Sequence, residues 1–81
     1  MTISGLAETL RAVSAALESA QGTLAGPAAT SIEQAGATLA SVRRDDGFHP
    51  VELDQAAAEL ARAVELVARA RQAVDDYRMR L

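Results

Sequence analysis

Residues 53–81 read LDQAAAELARAVELVARARQAVDDYRMRL, and in them the apolar positions recur at spacings of three and four: Leu53, Ala56, Leu60, Ala63, Val67, Ala70, Val74, Tyr77 and Leu81. Such a spacing, sustained over heptads, marks a helix packed lengthwise on another helix. For most of its length the stripe alternates a large residue with alanine, which lets two backbones approach closely. Leu53, Ala56, Leu60, Ala63, Val67, Ala70, Val74 and Tyr77 are therefore the candidate partner-binding residues. The helix that carries them has matching ends. Pro50 suits a first helical position, where its missing N–H is no loss. Glu52 and Asp54 suit the positive end of the helix dipole, and Arg78 and Arg80 the negative end. Glu65–Arg69, Arg71–Asp75 and Asp76–Arg80 are spaced to pair along its outer face.

Upstream, Arg43-Arg44-Asp45-Asp46-Gly47-Phe48-His49-Pro50 interrupts the apolar pattern, as a turn does. Before it runs a second stripe: Ile3, Leu6, Leu10, Val13, Leu17, Ala20, Leu24, Ala28, Ile32, Ala35, Leu39 and Val42. Thr2 or Ser4 can cap its start. Gly26-Pro27 falls in the middle, where a proline costs an α-helix ~3 kcal/mol. Yet the stripe keeps phase across it, since Ile3 to Leu39 is about ten turns at ~3.6 residues each. One long helix kinked near Pro27 is therefore favoured over two helices joined there. The expected fold is all-α, a single domain over residues 1–81: an antiparallel helical hairpin with a helix at 3–43, a turn at 44–49 and a helix at 50–80.

At 81 residues, with aromatics at 2% of the chain, only a thin core can be built, from Leu, Val, Ile and Ala. Cysteine is absent, so neither a disulfide nor a thiolate metal site can staple it. Association remains, either with a second copy in a four-helix bundle or with another helical protein. The first helix offers a surface for that: between Ser19 and Val42 its only charge is Glu33, and Gly5, Thr9, Ala12, Ala16, Ser19 and Thr23 form a second strip of small residues.

Other functions find little support. The net charge is −3 and every cation is arginine, which argues against a nucleic-acid partner. No stretch is long and apolar enough to span a membrane. The residues after Met1 lack a signal peptide's basic and apolar regions. The expected location is cytoplasmic, with signal-less export as the alternative. His49 is the sole histidine, so neither a pair of imidazoles nor a Glu-x-x-His metal motif can form within the chain. Asp45-Asp46 lacks the ligand spacing of a calcium loop, and Asp75-Asp76 point about 100° apart on a helix. No nucleophile–base pair and no phosphate-binding glycine loop is present. No enzyme activity, cofactor or metal is expected.

A cysteine-free helical hairpin of this length resembles the small proteins of type VII secretion, the WXG100 family and the helical partners of its toxin substrates. Here Gly47 and Phe48 stand where that family has its Trp-x-Gly turn. Tyr77 is followed four residues later by Leu81 where the export signal has an acid. The second half, His49-Pro50 through Tyr77-Arg78-Met79-Arg80-Leu81, also looks like short actinobacterial helical proteins found near polymorphic toxins. The resemblance implies a non-catalytic adaptor or chaperone-like partner of a secreted toxin. A self-assembling scaffold is the alternative.

If the alanines set a close approach, Ala63→Leu overpacks the stripe and costs about 1–3 kcal/mol. An unchanged melting temperature for Ala63→Leu would show that the stripe is misplaced.

Overall fold

Thr2 opens the first helix: its Oγ1 accepts the N–H of Gly5 at 3.0 Å, and its carbonyl accepts the N–H of Leu6 at 2.9 Å. Of the two expected caps, Thr2 is the one used. The computed structural model describes residues 2–42 and 50–81. Within them the elements are α1 (Ile3–Thr23), a π-helical segment (Leu24–Ala28), α2 (Ala29–Val42) and α3 (Val51–Met79). The turn expected at 44–49, with Asp45, Asp46 and His49, lies outside the described residues, as does the last expected position of the first helix, Arg43. No strand occurs among the described residues.

The proline is accommodated without breaking the rod. In a π-helix each carbonyl accepts from the residue five positions on, instead of four. The Thr23 carbonyl, which an α-helix would assign to the missing N–H of Pro27, is thereby matched to residue 28. Both flanking residues, Thr23 and Ala29, keep right-handed helical backbone angles, with φ of −65° and −62°. The helical segments together measure 64 × 15 × 15 Å. About 60 Å of that length is what forty residues need at ~1.5 Å each, and a width of 15 Å holds two helices with little room for a bend. The kink expected at Pro27 is therefore a local widening of the helix.

α3 begins one residue later than expected. Pro50 sits before the first turn in extended backbone (φ −73°, ψ 107°) and its carbonyl accepts from Leu53 at 3.1 Å. Glu52 and Asp54 occupy the first turn of α3 and Arg78 its last.

α3 lies antiparallel beside the first arm. The Ser14 hydroxyl meets Asp75, and Leu24 and Ile32 of the first arm share a groove with Ala57, Leu60 and Val64 of α3. The radius of gyration, 18.6 Å, far exceeds the roughly 12 Å of a compact chain this long. The consequence for the interior is severe. Among the described residues no apolar side chain is buried, and the single buried residue is Ser14, at 8% exposure.

The contact line differs from the expected stripes in a regular way. On the first arm Leu6, Leu17, Ala28 and Leu39 are half-buried, eleven residues apart, as are Leu10, Gln21 and Ile32. Eleven residues in three turns is about 3.67 per turn. Ser14, Gln21 and Gly36 therefore face α3, whereas Val13, Ala20 and Ala35, expected there, are exposed. On α3 the half-buried line runs Leu60, Val64, Val67, Arg71, Val74 and Arg78. A straight α-helix drifts about 20° per heptad against a strict seven-residue repeat. Summed from Leu53, that drift reaches about 50° at Ala70 and about 70° at Tyr77, which carries both off the contact line, and both are exposed.

Gly22 sits mid-helix with nothing within 4 Å of where a Cβ would stand. Gly22→Ala should therefore raise stability by about 1 kcal/mol through helix propensity alone. A lower unfolding midpoint in urea would mean that another helix approaches this position.

Candidate interaction surface

Two different surfaces follow from a contact line with an open side on each flank. Residues one position after the line point to one flank, and residues one position before it point to the other, since each step turns about 100°. In two antiparallel helices a rotation in the same sense from the line of contact reaches the same flank. Glu18, Ala25, Ala61 and Met79 follow the line, and depressions between the arms are lined by them. Val13, Ala20, Ala70 and Tyr77 precede it, and all four are exposed.

The following flank is divided along its length. Near the connected end, Leu24, Ala25, Ala29 and Ile32 of the first arm and Ala57, Leu60, Ala61 and Val64 of α3 line an apolar groove of about 330 Å³, with Glu33 at its rim. The π-helical segment contributes the groove's Leu24 and Ala25 wall. Alanine dominates this wall, which leaves the groove shallow and wide open.

Toward the other end the packing becomes polar. Ser14 Oγ donates to Asp75 Oδ1 at 2.8 Å, and Arg78 Nη1 donates to the same oxygen at 3.1 Å. Arg71 lies on the other side of the carboxylate, its Nε 3.9 Å from Asp75 Oδ2, and its Nη2 lies 3.7 Å from Glu18 Oε2 of the first arm. The Ser14–Asp75 bond is charge-assisted and joins residues 61 apart in sequence. Its direction and length tie α1 to α3 at one register, which a uniform stripe of alanines cannot do. Every buried side-chain polar atom among the described residues is satisfied.

The expected outer pairs are only partly present. Glu65–Arg69 closes at 4.0 Å with both side chains about three-quarters exposed, a geometry worth little in water. Arg71–Asp75 forms, as part of the polar cluster. Asp76 accepts from the Gln72 amide at 2.8 Å, in place of the expected Arg80.

Of the candidate partner-binding residues, Leu53, Ala56, Leu60, Ala63, Val67 and Val74 are half-buried along the contact, and Ala70 and Tyr77 are exposed beside it. Ser14, Gln21 and Asp75 were not among the sequence candidates, because a polar residue falls outside any apolar stripe. The signal that finds them is the eleven-residue spacing of Leu6, Leu17, Ala28 and Leu39, which places Ser14 and Gln21 on the inner line.

Among the described residues no three His, Cys, Asp or Glu side chains converge to hold a metal ion, and no helix is long and apolar enough to cross a membrane. Compared with protein-family models, curated proteins and solved structures, the chain finds no match.

Ser14→Ala removes the part-buried hydrogen bond to Asp75 that joins the arms and should cost about 1–2 kcal/mol in urea unfolding. Glu65→Ala, at the exposed pair, should change stability by less than ~0.5 kcal/mol. Equal effects of the two would mean that the polar cluster does not hold the register.

Proposed function

We propose that this chain is a non-catalytic helical interaction protein, an adaptor or chaperone-like partner that acts by completing a helix bundle. One observation carries the reading: two full-length helices lie together without burying a single apolar side chain among the described residues. The chain exposes 6038 Å² of surface, against about 4,650 Å² for a compact monomer of its mass. Large apolar side chains lie in the open, Val51 at 54% and Leu66 at 50% exposure. Such a pair of helices is stable and useful when further helices cover it.

The apolar groove beside the π-helical segment is the proposed client site. A helix laid there covers Leu24, Ile32, Leu60 and Val64 with its own apolar stripe, and Glu33 at the rim selects against an acidic client edge. The resemblance to type VII secretion proteins suggests secreted toxins as the client class.

The test is co-expression of the tagged chain with the products of its neighbouring genes. A stoichiometric complex with one of them, lost with Leu60→Glu, is the expected result. Failure to retain any neighbour, together with a large homopolymer of the chain alone, would replace the adaptor with a scaffold.

A further inference from the structure

The flank that carries the apolar groove has opposite charges at its two ends. From this we infer that its client is a helix of ordered charge: basic beyond Glu33, apolar over the groove, and acidic where the flank meets Arg11. This inference rests on the interaction reading above and specifies the chemistry of the client.

One row of the first arm joins two depressions. Arg11 and Glu33 are 22 residues apart, which is two eleven-residue repeats, so they stand on the same side of the arm about 33 Å from each other. Glu33 stands at the rim of the apolar groove. Arg11 lines a second depression between α1 and α3, of about 680 Å³, toward the open end. Midway between them, Gly22 has nothing within 4 Å of where a Cβ would stand. A third helix laid along the flank spans both depressions.

The two ends differ in charge. Arg11, Arg71 and Arg78 line the second depression, against Glu18 and Asp75. Both carboxylates are already engaged, Asp75 by Ser14, Arg71 and Arg78, and Glu18 by Arg71. Arg11 has no hydrogen-bond or ion-pair partner among the described residues, and neither has Glu33. One end therefore offers a spare cation and the other a spare anion. Glu8, one turn before Arg11, lines neither depression, and Asp54, in the first turn of α3, has the same sign as Glu33.

These charges select among the occupants of the flank. A uniformly apolar helix covers the groove but leaves Arg11 and Glu33 desolvated without partners. A helix with its charges reversed sets an acid against Glu33 whenever its apolar stripe is seated in the groove. A second copy of this chain matches only in part. Reversed end to end, it pairs Arg11 with Glu33 but lays its polar cluster over the apolar groove, and in the same direction it brings two clusters of arginines together. Met79, 87% exposed at the wall of the second depression, supplies an adaptable apolar contact for the stem of the client's acidic residue.

The experiment titrates the full chain with two synthetic helical peptides of about 25 residues, long enough to span the row, and reads fluorescence anisotropy. Both carry a leucine stripe in one half. The matched peptide has lysines at the leucine end and glutamates at the other, and the reversed peptide exchanges the two. The matched peptide is expected to bind at least fivefold tighter at low salt, a difference that shrinks at about 1 M salt. Arg11→Glu combined with Glu33→Arg, at two exposed positions, should invert the preference. Leu60→Glu should abolish binding of both peptides. Equal affinities, a preference that survives the double charge reversal, or no binding of either peptide would overturn the inference. A dimer of the chain alone that the matched peptide fails to dissociate would give the flank to a second copy and overturn it as well. The adaptor reading is decided separately by co-expression. Capture of a neighbour with equal peptide affinities leaves that reading standing without the charge order, and a clear preference with no neighbour captured upholds the charge order alone.

Discussion

Two cylinders touch along one line, and that limit governs everything else in this molecule. A side chain on the line is shielded by the facing helix but stays open on both flanks. Leu6, Leu10, Leu17, Leu60 and Val67 all sit on or near the line and all remain half-exposed. Burial of a leucine contributes about 1.5–3 kcal/mol only when it is complete. A chain that orders this many residues and completes none of that burial among the described ones has little to offset its lost conformational entropy. Among the described residues the one buried residue is Ser14, whose hydroxyl bond to Asp75 specifies where the arms meet more than it holds them together.

The proline in the first arm acts on the same geometry. By widening one turn instead of bending the rod, the π-helical segment lets the first arm run the full 64 Å of the molecule with α3 alongside. The contact repeat near eleven residues runs through it unbroken, a pitch that opposes the left-handed coiling of a strict heptad. The line of contact separates two flanks, one of which carries the apolar groove and the polar cluster.

Much of the fold was legible in the sequence because apolar periodicity is a direct record of helix contact. Both helices, the Thr2 cap, the acidic first turn and basic last turn of α3, and the continuity across Pro27 could be read from residue type and spacing. What could not be read came from small angular differences and from polar contacts. A spacing of 3.5 and one of 3.6 differ by one register step only after several turns, so Ala70 and Tyr77 look like inner positions until the drift is summed. Ser14 and Asp75 carry no sign in the sequence that they will meet, since their pairing depends on the register of two distant segments. The π-helical solution at Pro27 was hidden for a similar reason: phase shows that a helix continues, not how it absorbs a missing donor.

The central claim is that these helices depend on association for their stability, and unfolding at different protein concentrations tests it most directly. For a dimer of this size, with an unfolding enthalpy near 0.7 kcal/mol per residue, mass action raises the midpoint by about 4 °C for each tenfold increase in concentration. The account predicts that rise when helix content is followed by circular dichroism on heating. A cooperative transition whose midpoint stays constant over a hundredfold dilution would contradict it, because the two arms would then be stable on their own.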